Sequence, residues 1–400
     1  MYYTPRMTYF LTRQFIASGM EHVDATRITF LLYDSWLQKT SYSKIRLKFK
    51  MLPNAERFRR LVDGRANGII PALARTGLSA FELPYESIVR LRNYAYDHGM
   101  FTVSRASAPV VSVGNITLGG TGKTPLVAWL ANWFADRNQK PAIISRGYKA
   151  KKGQLSDEAA ELNILLPTVP HFANRQRIIA AKNATASGSN ILLLDDGFQH
   201  RKIYRDINLV TIDASDPFGC NRIFPRGLLR EPLDSLHRAD AIILTRTDQV
   251  SIKTRDEIQE RCLRFLGPHQ KPWIQTEHRP SNLRLADGRT KPLQSLQNKR
   301  ILAISAIGNP AAFHRTLTSL GHAPTATLTF PDHHQYNADD MRRISKKTEQ
   351  ARADIVLTTL KDLVKMPLGN IGGRPLYALE IGIHFHIGLQ DLEDLLVKIS

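Results

Sequence analysis

One stretch constrains this chain more than any other: Val111-Ser112-Val113-Gly114-Asn115-Ile116-Thr117-Leu118-Gly119-Gly120-Thr121-Gly122-Lys123-Thr124. An apolar run ends in a glycine-rich turn, and Gly-Lys-Thr then opens a segment with helical character. Glycines let successive backbone N–H groups converge on phosphate oxygens, and a helix N-terminus adds the positive end of its dipole. In such a phosphate loop Lys123 reaches the β- and γ-phosphates of a nucleotide, and Thr124 puts its hydroxyl on Mg²⁺. The pattern G-x-x-x-x-G-K-[ST] asks for glycine at 117, where Thr117 stands. The segment Gly119-Gly120-Thr121-Gly122-Lys123-Thr124 therefore carries the assignment.

A phosphate loop needs an acid at the end of a neighbouring buried strand. Ile191-Leu192-Leu193-Leu194-Asp195-Asp196 offers two, and either carboxylate can hold Mg²⁺ directly or through water. Short apolar runs at 109–113, 141–145, 191–194, 209–212 and 241–244 alternate with helical stretches. That rhythm implies a parallel sheet covered on both faces. Asp287-Gly288 is a tight-turn dipeptide between two extended segments. The fold class is α/β. A P-loop NTPase-like parallel-sheet domain is expected over 106–272, a two-stranded linker over 273–297 and a smaller α/β domain over 298–400.

The first hundred residues differ. Residues 1–50 read as a basic extension, with Lys44, Arg46, Lys48 and Lys50 alternating with Ile45, Leu47 and Phe49. Met51 begins the organised protein and is a candidate start. Residues 51–105 read as an amphipathic helical region carrying Arg57, Arg59, Arg60, Arg65, Arg75, Arg90 and Arg92. Such a helix suits an anionic bilayer surface; an ordinary helix packed on the next domain fits as well. The 400 residues carry a formal charge of +19. That excess suits nucleic acid, an anionic membrane or a phosphorylated substrate. No nucleic-acid-binding module with interleaved aromatics is present, so nucleic acid is not the expected partner. No apolar run reaches the length of a membrane span. Cys220 and Cys262 lack metal-ligand spacing and form no disulfide framework, which suits a reducing, cytoplasmic setting.

Several blocks taken in order resemble the tetraacyldisaccharide 4′-kinase family, also called lipid A 4′-kinase. They are Val113-Gly114-Asn115 with the loop to Pro125, Ser145-Arg146-Gly147-Tyr148, Asp157-Glu158 and Asp195-Asp196-Gly197-Phe198-Gln199-His200. Gly227-Leu228-Leu229-Arg230-Glu231-Pro232, Gly308-Asn309-Pro310 and Phe330-Pro331-Asp332-His333-His334 follow. The resemblance covers roughly 60–385. It implies Mg-ATP-dependent phosphorylation of the 4′-hydroxyl of an acylated glucosamine disaccharide 1-phosphate, at the cytoplasmic face of the bacterial inner membrane. It also implies two α/β domains joined by a two-stranded linker, with the site in the cleft. Asp157 is then the catalytic acid–base group, assisted by His333 or His334. Arg146, Arg230 and His200 are expected beside phosphate or the carboxylates, with Gln199 and Pro125 in the nucleotide site. Glu231 is expected to hold Arg230 or the metal shell. The chain departs from the family pattern in carrying Ser156 before the Asp-Glu pair and Thr359-Leu360-Lys361-Asp362 late in the sequence.

Other phosphate-loop proteins remain as alternatives: a GTPase, a non-metabolic ATPase switch, or a ligase that activates a carboxylate. Thr245-Arg246-Thr247-Asp248 follows a buried run, but its first two positions do not match the guanine reader Asn-Lys-x-Asp.

Overall fold

The computed structural model describes residues 55–147, 157–267, 271–307, 310–332, 334–366 and 368–400. The extension at 1–50 lies outside the described residues, as do Tyr148, Ser156, Gly308, Asn309 and His333.

Among the described residues, thirteen strands form one sheet in two parallel blocks. The first block holds β1 (Val110–Asn115), β2 (Pro141–Ser145), β3 (His171–Ala173), β4 (Ile191–Asp195), β5 (Ile207–Asp213) and β6 (Ala241–Thr245), with β1 between β4 and β5. Every residue of β1, β2 and β6 is buried. That explains why these strands read as unbroken apolar runs: helices cover both faces, so no side needs polar residues. The second block holds β9 (Ile301–Ser305), β10 (Ala326–Thr329) and β11 (Ile355–Thr359), all parallel.

The join between the blocks contains the expected turn between two paired strands and extends beyond residues 273–297. β7 (Trp273–Arg284) runs parallel to β6, turns at Asp287-Gly288 and pairs with the three-residue β8 (Thr290–Pro292). Its long partner is β13 (Arg374–Ile387), which pairs antiparallel to β7 and to the two-residue β12 (Asn370–Ile371) and parallel to β11. A two-stranded connection therefore exists, but its second strand comes from near the C-terminus. The sequence-based range 273–297 misses that strand because pairing at this separation leaves no local signal. The span 298–400 also divides. Helix α10 (Leu389–Val397) buries Leu392 and Leu396 in the core of the P-loop half, and the Trp133 indole donates to Glu393 at 2.7 Å.

Seven further helices are used below. They are α1 (Ala55–Val62), α2 (Ile69–Asp97), α3 (Lys123–Ala135), α4 (Asp157–Leu165), α5 (Arg177–Ala186), α8 (Ala338–Gln350) and the short α9 (Leu360–Leu363). Between α5 and α8 lie α6 (Ile252–Leu263) and α7 (Pro310–Ser319). The two halves of α2 behave differently. Its later part docks on the body: Ala95 and Tyr96 are buried, and the Tyr85 hydroxyl donates to the Arg230 carbonyl at 3.3 Å. Its early part exposes Ile69 (80%), Ile70 (81%), Leu73 (66%) and Phe81 (67%). The packed-helix reading thus holds for the later part of α2, while the early part leaves apolar side chains uncovered.

Candidate active site

The phosphate loop sits where β1 meets α3, at the carboxyl edge of the sheet, the usual ligand crevice of an open α/β fold. Gly122 starts the helix in the left-handed region (φ 83°), and a Cβ there would meet the His278 imidazole at 2.4 Å. The left-handed backbone therefore favours glycine at 122, and a side chain there would also have to displace the imidazole. The Thr121 and Thr211 hydroxyls bond at 2.7 Å, and Thr245 Oγ1 donates to the Thr121 carbonyl at 3.0 Å. These contacts fasten the loop to β5 and β6.

The departure at Thr117 has a structural explanation. Thr117 is outside the left-handed region. It forms an antiparallel bridge with Leu229, and the Leu118 N–H donates to the Leu228 carbonyl at 2.7 Å. The early arm of the loop is thus zipped to the Gly227–Pro232 segment, an extended pairing that any L-residue adopts.

That zipper delivers Arg230 to the loop. Its guanidinium grips the Asp196 carboxylate through Nη1 at 2.7 Å and Nη2 at 3.1 Å, and Nη1 also donates to Asn115 Oδ1 at 3.0 Å. The Lys123 ammonium donates to the same Asn115 oxygen at 3.1 Å and stands 3.6 Å from Asp196. Burial alone would raise the Asp196 carboxyl; Arg230 and Lys123 outweigh it and hold the group well below the usual carboxylate range. Asp196 adopts the left-handed conformation (φ 50°) just after β4, and its carbonyl accepts from Arg177 Nη2 at 3.2 Å. Burial pulls the Arg177 guanidinium down to about 10 despite the nearby Asp196 and Asp195. Asp195 ends β4 opposite Val113, and Thr124 is the second residue of α3.

The remaining expected nucleotide-side residues divide. Gln199 Nε2 donates to the Asn115 carbonyl at 2.9 Å, and Arg92 of α2 donates to the Gln199 carbonyl at 2.8 Å. Pro125 lies in the first turn of α3. Arg146 follows β2, and its charge is felt by Arg177. His200 is half-buried, and desolvation, followed by Arg177 and Arg92, pushes its imidazole down to about 2.

Glu231 also requires correction. Its side chain is buried at 2% exposure and forms an ion pair with Arg238, while Asn93 Nδ2 donates to Oε2 at 3.1 Å. It does not hold Arg230, which faces Asp196 instead. Adjacent residues of an extended segment point to opposite sides, so Arg230 enters the loop while Glu231 faces α2.

On the substrate side, Asp157 is the first residue of α4, and its carboxylate lies 3.3 Å from the Lys365 ammonium. Lys365 follows α9 in the far half of the sheet and also approaches the fully buried Asp362 at 3.9 Å. Asp362 accepts from the Ala306 N–H at 2.9 Å and the Thr359 hydroxyl at 2.7 Å, which anchors α9. Ile164 and Leu165 of α4 pack on the second block's core, so this helix lies in the seam between the blocks. His334 is committed elsewhere: Nε2 bonds Asp340 Oδ2 at 2.8 Å, and the ring stacks on Phe330 at 4.9 Å. Asp340 belongs to the capping box that starts α8, so this contact ties His334 to that helix. His333 lies outside the described residues.

A family model described as tetraacyldisaccharide-1-P 4′-kinase (LpxK) matches residues 74–399. The chain belongs to this family. It is 38% identical to the tetraacyldisaccharide 4′-kinase of Syntrophus aciditrophicus over 314 residues, covering 72% of this chain and 83% of that one. Identity to the Desulfatibacillum aliphaticivorans protein of the same name is 37% over 347 residues, covering 80% and 91%. Among solved structures it resembles the LpxK of Aquifex aeolicus in complex with ATP. That match has 30% identity and a TM-score of 0.66, covering 82% of this chain and 99% of that one.

For this family member, the structure brings Lys123, Arg230 and Asp196 into one cluster at the loop and sets Asp157 in the seam. Three residues of the site carried no assigned role in the sequence. Asn115 is the hub that accepts from both Lys123 and Arg230; its position at the loop mouth was the available signal. Arg177 and Lys365 come from a helix and a turn with no motif around them, and only packing reveals them.

Proposed function

We propose that the chain transfers the γ-phosphoryl group of ATP to the 4′-hydroxyl of an acylated glucosamine disaccharide 1-phosphate, a precursor of lipid A. The carrying observation is the Lys123–Asn115–Arg230–Asp196 cluster at a phosphate loop, within a chain whose family match spans 74–399. The ATP complex of the Aquifex relative supports the choice of donor.

The donor set suits Mg²⁺, which prefers oxygen ligands. Asp195 at the end of β4, Asp196 beside Arg230 and the Thr124 hydroxyl are the oxygens that would hold the ion. When bound there, Mg²⁺ would neutralise charge on the phosphate oxygens. Lys123 and Arg230 supply positive charge to the transferring group from a pre-set position, so little reorganisation is needed during reaction. The loop N–H groups orient the phosphate chain. Asp157 takes the proton of the attacking hydroxyl, and Lys365 holds the Asp157 carboxylate in place.

The acyl chains of such a substrate lie in a bilayer, so the enzyme must meet a membrane. Among the described residues no helix is long and apolar enough to cross one. The early part of α2, with Ile69, Ile70, Leu73 and Phe81 exposed, suits insertion into an anionic interface. Beside it a cavity of about 550 Å³ is lined by Arg59, Arg65, Arg75, Arg222 and Arg226 against Asp63 and Asp216. This net positive surface favours contact with anionic headgroups at the cytoplasmic face, where ATP is available.

The test is the mass of the lipid product after incubation with Mg-ATP and the disaccharide 1-phosphate. Gain of one phosphate, lost in Lys123→Ala, supports the reading. A product in which two molecules are joined, or turnover with GTP but not ATP, overturns it.

A further inference from the structure

A second cluster of chemically capable side chains lies on the β7–β13 pair. His384 stands directly across from Glu277 in the antiparallel ladder. The ladder slips between Phe385 and Ile387, and this bulge brings His386 to the same carboxylate, with Nε2 2.8 Å from Glu277 Oε2. His384 Nδ1 lies 3.8 Å from Glu277 Oε1, and the two imidazoles meet edge-on at 5.1 Å. One donor atom from each of the three residues lies within 4.8 Å of the other two.

We propose that Glu277, His384 and His386 form a binding site for a transition-metal dication, with Zn²⁺ the best match. Two imidazoles and one carboxylate are a set that Zn²⁺ uses with a fourth position left for water, whereas Mg²⁺ and Ca²⁺ prefer oxygen ligands. Donors bonded at about 2.0–2.2 Å stand roughly 3.4 Å apart in a tetrahedron. Rotation of the two partly exposed imidazoles closes the present separations. Glu277 is the fixed point, being buried at 7% exposure.

The surroundings suit this role. Arg279 donates to Glu277 Oε1, which leaves Oε2 for the metal once His386 gives up its shared proton. A guanidinium on the second oxygen is the outer support that orients a ligating carboxylate. His278, the neighbour of Glu277 on β7, packs on the phosphate loop at Gly122. The metal would thus fasten the strand that supports the loop while taking no ligand from it.

The full-length chain, stripped with chelator, is titrated with Zn²⁺ by calorimetry in excess Mg²⁺, which occupies the oxygen sites. The expected result is a single bound Zn²⁺. His384→Ala and His386→Ala should each weaken binding by at least about tenfold, since even an outer-shell partner is worth about 10–100-fold. The Co²⁺ form should show the visible absorption of a four-coordinate site, absent from both variants. Zn²⁺ should raise Tm in the wild type and not in the variants. Tm without metal establishes that they fold, and His386→Gln replaces any that do not. Unchanged Zn²⁺ affinity in a folded His384→Ala/His386→Ala double variant would overturn the assignment, as would a wild type that binds no Zn²⁺.

Discussion

The Lys365 ammonium stands 3.3 Å from the Asp157 carboxylate, although the two residues come from opposite blocks of the sheet. Phosphoryl transfer depends on position, and an ångström-scale misplacement costs up to about 10²-fold in rate. Lys365→Met should therefore lower kcat by up to about 10²-fold with little change in the KM for ATP. Asp157→Asn should cost more, about 10²–10⁴-fold, because it removes the proton acceptor itself. On the Asp157→Asn background, Lys365→Met should add little, since both act through one group. Steady-state kinetics of the two single variants and the double variant measure this. Full additivity would show that Lys365 acts elsewhere.

Arg230 makes two parallel bonds to Asp196 and one to Asn115. Lysine is a point charge and cannot reproduce this fork. Arg230→Lys should lower kcat/KM for ATP by about 10–100-fold, the equivalent of one charged hydrogen bond at about 1.5–3 kcal/mol. A silent substitution would mean that the pair plays no part in catalysis.

Glu231 and Arg238 form a buried pair, with side chains 2% and 7% exposed. Removing one partner leaves the other charge buried, at a cost of about 3–5 kcal/mol. Glu231→Gln should lower the urea midpoint accordingly and leave the Mg²⁺ dependence of turnover unchanged. The opposite outcome, with stability kept and a raised Mg²⁺ requirement, would restore Glu231 to the metal shell.

Two half-buried histidines give the fold a pH dependence. His200 is pushed down to about 2 and His278 to about 4, in both cases mainly by burial. In the unfolded chain both take a proton as pH falls through about 6.5. The unfolded state then binds more protons than the folded one, so stability is full above about 6.5 and declines as pH falls below it. Glu231 adds to the loss at lower pH: although burial opposes it, Arg238 and Arg92 hold its carboxyl below the ordinary value. His200→Gln should flatten the decline between about pH 6.5 and 4. Urea midpoints across that range supply the measurement, and an unaltered slope would contradict the assignment.

Ile69, Ile70 and Leu73 are exposed on early α2. Replacing all three with serine should reduce co-sedimentation with anionic vesicles while leaving turnover on a detergent-dispersed substrate largely intact. Wild-type binding should weaken as salt rises, because screening shortens the reach of the arginines. Equal binding by the triple variant would place the membrane contact elsewhere.

The chain's own order of residues determined the phosphate loop, its acidic partner strand and the parallel blocks, because each depends on near-neighbour pattern. Apolar runs of strand length, a glycine-rich turn and Gly-Lys-Thr are local facts, and so are the blocks that mark the family. Tertiary structure alone decided how these parts face one another. Arg230 and Glu231 are adjacent in sequence, yet one enters the loop and the other a buried ion pair, because an extended segment alternates its sides. β13 became the second strand of the connection through pairing with a strand about a hundred residues earlier. Asp157 and Lys365 meet only because α4 lies in the seam between the blocks. Asn115, Arg177 and Lys365 owe their places to packing, and no pattern of neighbouring residues encodes the distance between two side chains that are far apart in the chain.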